Sequence, residues 1–169
     1  MARVGIIMGS DSDLPRMKRA GAVLEELEIS YEVTISSAHR TPEKTMQWAM
    51  EAPMRGVEVI IAAAGGSAAL PGVVAAHTPL PVIGVPLKAW ALDGLDALLA
   101  IAQMPKGIPV ATVAINGAEN AALLAARILA VSDGSVRERV EKHMADQALA
   151  VEAKDAQLQT RGLMESDPE

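Results

Sequence analysis

The run Val4-Gly5-Ile6-Ile7-Met8 leads directly into Gly9-Ser10-Asp11-Ser12-Asp13 near the start of the chain. A short, wholly apolar run that ends in glycine and small polar residues is typical of a buried strand followed by a loop. Apolar residues then recur at helical spacing from Met17 to Leu27, which predicts a helix after that loop. This unit of a strand, a polar loop and a helix is the pattern from which we predict the rest of the fold.

The same unit recurs along most of the chain. Further apolar, strand-like runs occupy residues 31–35, 57–62, 81–85 and 109–114, and helical patterns lie between them, including residues 93–103 and 117–131. Strands that are apolar and alternate with helices indicate a parallel sheet covered on both faces. The predicted class is therefore α/β, a three-layer αβα sandwich with a flavodoxin-like sheet and an appended C-terminal helix.

Two helix starts carry capping signals. Thr41 precedes Pro42 and Glu43, which predicts a hydroxyl cap, a proline in the first turn and an acidic residue near the helix dipole. Asn116 and Glu119 stand at capping-box spacing, although that motif more often begins with serine or threonine.

We expect one domain over residues 1–169, because no repeat or low-complexity linker interrupts the chain. The sheet core is predicted at about residues 3–131 and a C-terminal helix at about 135–158, followed by a frayed tail at 164–169. The apolar residues of that helix form an amphipathic pattern and are Val136, Val140, Met144, Leu149 and Val151.

Composition excludes several classes of protein. The formal net charge of −6 argues against a nucleic-acid binder, whose surface would be basic. With no cysteine and three scattered histidines, neither a disulfide nor a metal site is expected. No secretory segment and no uninterrupted apolar run of about 20 residues is present, so we expect a cytoplasmic protein without a membrane partner.

Three polar or glycine-rich loops follow the first three strands, at residues 9–13, 36–41 and 65–72. Ligands of open parallel sheets bind beyond the carboxyl ends of the strands, where these loops would meet. The first loop offers backbone N–H groups at a helix start. The second adds Arg40, which can hold a phosphate, and His39, which can transfer protons near neutral pH. Together they predict a site for a small phosphorylated metabolite.

Each of these signals also has a simpler interpretation. A single loop histidine is more often a hydrogen-bonded structural residue, and Arg40 could pair with a surface acid. His77 is expected to pack or touch another subunit, and His143 to lie on a solvated face. From the residues alone, the prediction is a phosphometabolite-binding α/β domain.

The loop sequences resemble one known family. The strings that carry the resemblance are Met8-Gly9-Ser10-Asp11-Ser12-Asp13, Ser37-Ala38-His39-Arg40-Thr41-Pro42, Leu70-Pro71-Gly72 and Gln103-Met104-Pro105. In that order they are similar to N5-carboxyaminoimidazole ribonucleotide mutases, the class I PurE family. The similarity runs from about residue 3 to 131 and continues more weakly through the C-terminal helix.

The resemblance implies a carboxylate migration in purine biosynthesis that needs no cofactor and no metal. The substrate's N-carboxylate is lost as carbon dioxide and recaptured by carbon 4 of the ring, with His39 matching the histidine that shuttles the proton. The other implied substrate-binding residues hold the ribose and phosphate or line the pocket: Ser10, Ser12, Asp13, Ser37, Ala38, Arg40, Gly65, Gly66 and Leu70.

The third loop departs from the family's pattern. Ala63 stands for a glycine, which excludes a strongly positive φ there, Ser67 for an alanine, and Ala69 for a histidine. Ala97 and Ala100 likewise replace serines common in the family. These changes favour one alternative, a catalytically impaired or redesigned scaffold or a nucleotide-binding paralogue. A second alternative is direct carboxylation of aminoimidazole ribonucleotide by carbon dioxide, as in the class II branch.

We also expect a homo-oligomer. The loop of Lys88, Ala89 and Trp90 and the apolar stretch at 95–102 offer more apolar surface than one sheet face needs. The C-terminal helix could dock on a neighbouring subunit or fold back on its own sheet. The resemblance implies an octamer, whose closed symmetry would prevent open-ended association.

Overall fold

The structure is a computed structural model that describes residues 1–162, and these form five strands and six α-helices. The strands are β1 (Val4–Met8), β2 (Tyr31–Ile35), β3 (Val59–Gly65), β4 (Val82–Leu87) and β5 (Ala111–Thr112). The helices are α1 (Leu14–Glu26), α2 (Pro42–Glu51), α3 (Leu70–Ala76), α4 (Leu95–Ala102), α5 (Ala118–Leu129) and α6 (Gly134–Arg161).

All five strands are parallel, in the order β2-β1-β3-β4-β5. The chain moves from β1 outward to β2 and then crosses to the other side of β1, which places the switch point of the sheet between β1 and β3. In the register, Met8 at the end of β1 lies beside Ile35 and Ala63. The loops that follow β1, β2 and β3 therefore open at one edge.

Helices cover both faces of the sheet, because alternate strand residues point to opposite sides. Ile6 and Ile61 are buried on one side with residues of α1, α5 and the start of α6. Ile7 and Ile60 are buried on the other side with residues of α2, α3 and α4. The predicted three-layer, flavodoxin-like α/β class is confirmed.

Small side chains let these layers approach closely. A Cβ added at Gly84, in the middle of β4, would collide with the side chain of Ile101 on α4. Five alanines of α5 are buried against the sheet side that α1 also covers. The alanine-rich composition therefore serves close helix packing within the chain.

Three predicted strands have different limits in the structure, and the one predicted at 81–85 is Val82–Leu87. The strand predicted at 57–62 is Val59–Gly65, since the small residues Ala63 and Ala64 continue the ladder with β4. The strand predicted at 109–114 shrinks to Ala111–Thr112, an edge strand that pairs only with β4.

The predicted start of α2 is confirmed in position, with Thr41 as N-cap and Pro42 and Glu43 in the first turn, whereas the predicted Asn116 cap of α5 is wrong. Asn116 has a φ of 58° and its Oδ1 accepts a hydrogen bond from the backbone N of Lys88, while Gly117 takes the N-cap position of α5. The Thr41 hydroxyl makes no cap bond to α2, because it accepts a hydrogen bond from the backbone N of Ser37 instead.

Helix α6 packs on the sheet domain only through its first turns. Asp133 caps it by accepting hydrogen bonds from the backbone N–H groups of Ser135 and Val136. Val136 and Val140 are buried, whereas residues 144–161 are exposed, including most of the predicted apolar stripe. The tail predicted to be frayed lies outside the described residues. Nowhere in residues 1–162 is a helix long and apolar enough to cross a membrane.

Candidate functional site

A cleft of about 810 Å³ opens at the carboxyl-end edge of the sheet. Loops following β1, β2, β3 and β4 form its wall, as expected for an open parallel sheet. Nearly all the site residues predicted from sequence lie in this wall: Ser10, Ser12, Asp13, Ser37, Ala38, His39, Arg40, Gly65 and Leu70. The remaining one, Gly66, is not a lining residue, although its neighbours Gly65 and Ser67 are.

The first loop is a capping box that the sequence analysis did not identify. The Ser10 hydroxyl accepts a hydrogen bond from the backbone N of Ser12, at 3.3 Å. The carboxylate of Asp13 accepts one from the backbone N of Ser10, at 3.2 Å. Burial raises the pKa of Asp13, although this hydrogen bond and the charge of Arg16 oppose the rise. The carboxylate is therefore held at the cleft with part of its hydrogen-bonding capacity still available.

The second loop is a tight turn braced by hydroxyl groups. Thr41 Oγ1 accepts a hydrogen bond from the backbone N of Ser37 at 2.9 Å, and the backbone N of Thr41 donates to the carbonyl of Ser37. Below the turn, buried Ser36 shares hydrogen bonds with Thr41 and Thr45. This bracing leaves the side chains at the top of the turn free to face the cleft.

His39 stands at the top of that turn and lines the cleft with an exposed imidazole. Within residues 1–162 its ring makes no hydrogen bond, so the alternative of a hydrogen-bonded structural histidine has no support there. An exposed histidine in the wall of a cleft can accept a proton from a ligand and return it.

Arg40 joins the first two loops. Its Nη2 donates a hydrogen bond to the carbonyl of Gly9 at 3.0 Å, and its backbone N donates to the hydroxyl of Ser37 at 3.2 Å. One side of the guanidinium is thereby held, and the other N–H groups remain for an anion.

The third loop contributes mostly small side chains to the wall, with Ser67 as its one hydroxyl-bearing residue there. Gly66 and Ala68 have φ values of 62° and 41°, so the chain turns sharply between β3 and α3. Ala69 lines the cleft at the N-cap of α3. Ala63 lies inside β3, where no positive φ is needed. Alanine at position 63 is therefore compatible with the backbone conformation of β3.

Six cleft residues lie outside the three predicted loops, and those that carry a charge or an aromatic ring are Arg16, Lys88 and Trp90. Lys88 and Trp90 follow the end of β4, so extending the strand-end rule to the fourth strand would have found them. Arg16 stands three residues after Asp13, near the start of α1. With Arg40 the wall carries three cationic side chains against one carboxylate, and since Lys88 is also ion-paired with Asp93, Arg16 and Arg40 are the cations that favour an anionic ligand.

The other two histidines lie away from the cleft. His77 Nδ1 is 2.7 Å from the carbonyl of Val73 at the end of α3. His143 was expected on a solvated face, but it is half-buried between α6 and α1, with Nδ1 2.9 Å from a carboxylate oxygen of Glu26. Across residues 1–162, no group of three or more potential metal ligands comes together.

Comparisons with known proteins agree with this geometry. Residues 3–149 match the family model described as AIR carboxylase. The chain is 58% identical over 159 residues to the N5-carboxyaminoimidazole ribonucleotide mutase of Pyrococcus horikoshii, covering 94% of this chain and 90% of that one. It is 59% identical over 143 residues to the mutase of Thermotoga maritima, covering 85% of this chain and 84% of the relative.

Two further proteins are similar to the chain over most of its length. The phosphoribosylaminoimidazole carboxylase of Saccharomyces cerevisiae is 56% identical over 159 residues, which cover 94% of this chain and 28% of the yeast protein. The crystal structure of Treponema denticola PurE superposes with a TM-score of 0.84 at 31% identity, covering 94% of this chain and 99% of that one. By family model, sequence identity and fold alike, the chain belongs to the AIR carboxylase family.

Proposed function

We propose that the protein converts N5-carboxyaminoimidazole ribonucleotide to 4-carboxyaminoimidazole ribonucleotide in purine biosynthesis. The observation that carries the proposal is the pairing of His39 and Arg40 on one turn that faces the Ser10–Asp13 loop. Relatives 58 to 59% identical to this chain carry the name of that mutase.

Substrate binding is assigned to the charged and hydroxyl groups of the first two loops. Arg40 offers N–H groups to the phosphate, and Arg16 and Lys88 add positive charge to the same wall. Asp13 keeps acceptor capacity for the ribose hydroxyls beyond its bond from Ser10. These contacts would orient the imidazole ring toward His39.

The reaction requires one proton to move, which a single histidine can manage. The bond between the exocyclic nitrogen and its carboxylate breaks, the electron pair stays on nitrogen, and carbon dioxide is released. Carbon 4 then forms a bond to carbon dioxide and gives up its proton, so that the ring regains aromaticity. The proton lost by carbon 4 equals the proton gained by nitrogen, and we assign its transfer to His39.

The third loop suits the stage at which carbon dioxide has left the nitrogen and has not yet bonded to carbon 4. Carbon dioxide is small and carries no net charge, and the wall beside His39 includes the small apolar side chains of Ala64, Ala68 and Ala69. An apolar wall limits water around the released molecule and keeps it near carbon 4. On this account Ala69 is compatible with turnover.

Direct carboxylation of aminoimidazole ribonucleotide is the second candidate. It is favoured by the 56% identity to a yeast protein named as a carboxylase, although the aligned part is 28% of that protein. The first two loops are more similar to those of class I, so direct carboxylation is the less favoured of the two reactions. An initial rate that rises with bicarbonate concentration indicates direct carboxylation, whereas a rate that does not depend on bicarbonate indicates the mutase.

We further propose that the protein acts in the cytoplasm as a homo-oligomer, an octamer by resemblance. The exposed part of α6 carries Met144, Leu149 and Val151, and α4 exposes Leu95 and Leu99. An apolar surface of this extent favours burial against other copies of the chain. Light scattering at micromolar concentration tests it: a mass of 17.6 kDa contradicts any oligomer, and a tetramer contradicts only the octamer.

The experiment for the activity follows the substrate directly. The protein is mixed with N5-carboxyaminoimidazole ribonucleotide, and the appearance of the 4-carboxylated isomer is compared with the uncatalysed rate. A clear acceleration without added bicarbonate supports the mutase, whereas equal rates leave only a binding protein.

A further inference from the structure

Trp90 is a large aromatic side chain that remains almost fully exposed within the chain. Its side chain is 89% exposed although it lines the cleft that contains His39 and Arg40. The chain has only two tryptophans, one tyrosine and no phenylalanine. Among residues 1–162, Trp90 supplies the only indole or phenyl ring in the cleft wall.

One edge of the indole rests on Gly66. A Cβ added at Gly66 would come to 3.0 Å from Cζ2 of Trp90 and 3.3 Å from its Cη2. Gly66 also has a φ of 62°, a conformation that other residues rarely adopt. The glycine therefore makes room for the ring.

The loop that carries Trp90 is held at both ends. Lys88 forms an ion pair with Asp93 at 2.7 Å, and its backbone N donates to Asn116 Oδ1 at 3.1 Å. Leu92 and Asp93 both have a φ of 50°. Such backbone strain persists only where the surroundings hold it, and it clusters at ligand sites.

We propose that Trp90 is the surface on which the ligand's aromatic heterocycle stacks. The inference rests on the proposed function, in which that heterocycle is the aminoimidazole ring of a ribonucleotide. An indole in the same cleft wall as Arg16 and Arg40 is suited to a flat ring that carries a ribose phosphate. Because the contacts of Lys88 tie the loop, less of the loop needs ordering when the ligand binds.

Fluorescence can report on Trp90 once the other tryptophan is removed. Trp48 lies apart from the cleft, 5.2 Å from the Arg55 guanidinium and in contact with Gly5. In a Trp48→Phe protein, titration with 4-carboxyaminoimidazole ribonucleotide should quench the remaining emission and saturate. Absence of a saturable change in a protein that binds the nucleotide by calorimetry contradicts the stacking.

Two ligands and three variants separate stacking from other roles. Trp90→Ala should weaken binding of 4-carboxyaminoimidazole ribonucleotide about tenfold or more and leave ribose 5-phosphate unchanged, since only the former has a ring to stack. Trp90→Phe should keep most of the affinity. Leu92→Ala, an exposed apolar residue of the same loop outside the cleft wall, is the matched control and should affect neither ligand.

Each contrary result has a distinct meaning. If Trp90→Ala weakens both ligands equally or neither, the stacking role is wrong. A changed mass in light scattering with unchanged binding would make Trp90 a subunit contact and overturn the inference alone. If the unmodified protein fails to bind the carboxylated nucleotide, the proposed function and the inference both fall. Binding that depends on Trp90 without turnover overturns only the proposed function.

Discussion

The first two loops of the cleft differ sharply from the third. The loops after β1 and β2 present a carboxylate, several hydroxyls, an imidazole and a guanidinium, connected by hydrogen bonds such as the one from Arg40 to Gly9. The end of β3 and the loop after it present Ser67 and the small apolar residues Ala64, Ala68 and Ala69. β1 and β3 are adjacent strands and both are buried, whereas β2 is partly exposed, so a buried strand does not by itself require a polar loop after it. The difference supports our proposal that binding and proton transfer belong to the first two loops, while the third supplies mostly small side chains.

The largest effect is expected from His39→Asn. Asparagine keeps a polar side chain of similar size but cannot accept and return a proton, so turnover should fall about 10²- to 10⁴-fold. Affinity for the carboxylated nucleotide, measured by calorimetry, should change little because other residues hold the phosphate and ribose. His77→Asn, outside the cleft, is the control. Substantial residual turnover in His39→Asn would move the proton transfer to another group.

Arg40→Ala should have the next largest effect, on binding. Loss of charge-assisted hydrogen bonds to the phosphate is expected to cost about 1.5–3 kcal/mol in the binding free energy. Lys44→Ala removes the same charge from the neighbouring helix, where Lys44 donates to the carbonyl of Ile35 outside the cleft wall. Calorimetry should find that control near the unmodified affinity; equal losses in both variants would reduce the role of Arg40 to general electrostatics.

A smaller effect is expected from Ala69→His, which tests the third loop. If His39 alone moves the proton, a histidine at the N-cap of α3 should change turnover by less than about tenfold. Steady-state kinetics with N5-carboxyaminoimidazole ribonucleotide provides the measurement. A rise of a hundredfold or more would instead mark the present chain as an impaired enzyme.

The last variant acts at the opposite edge of the sheet and should leave the cleft alone. Hydrogen bonds from the Ser135 side chain, the Val136 backbone and Arg3 lower the pKa of Asp133. A carboxyl whose pKa is lower in the folded state stabilises the fold above its unfolded pKa, near 3.8, and loses that contribution as the pH falls further. Asp133→Asn should lower the melting temperature by roughly a few degrees at pH 6, and the difference should shrink below about pH 4. Calorimetric scans at both pH values, with unchanged nucleotide affinity, provide the check.

Much of the fold could be predicted because apolar runs and loop signals coincide at its centre. The predicted strands at 4–8 and 31–35 match β1 and β2 residue for residue, and both end in glycine or serine. The end of β3 was harder, because Ala63 and Ala64 have no strand preference of their own and are held by pairing with β4. Edge strand β5 has a single neighbour, so its length depends on contacts that periodicity does not encode.

The residues of the site likewise divide into those that could be predicted from the sequence and those that could not. Loops that follow β1 and β2 were predictable, since short polar segments after buried strands must meet at one edge. Lys88 and Trp90 follow β4 and could have been predicted by the same rule, whereas the positive φ of Leu92 and Asp93 in the same loop has no sequence signal at non-glycine residues. The reach of Arg40 to Gly9 likewise depends on a tertiary distance.

One isotope experiment tests the central claim that this cleft moves a carboxylate within one molecule. N5-carboxyaminoimidazole ribonucleotide labelled with ¹³C in its carboxylate is mixed with the protein in unlabelled bicarbonate, and the product is followed by ¹³C nuclear magnetic resonance. The account predicts rapid formation of 4-carboxyaminoimidazole ribonucleotide that retains the label, because carbon dioxide is recaptured before it leaves the cleft. Product without label, or no acceleration over the uncatalysed reaction, would contradict it.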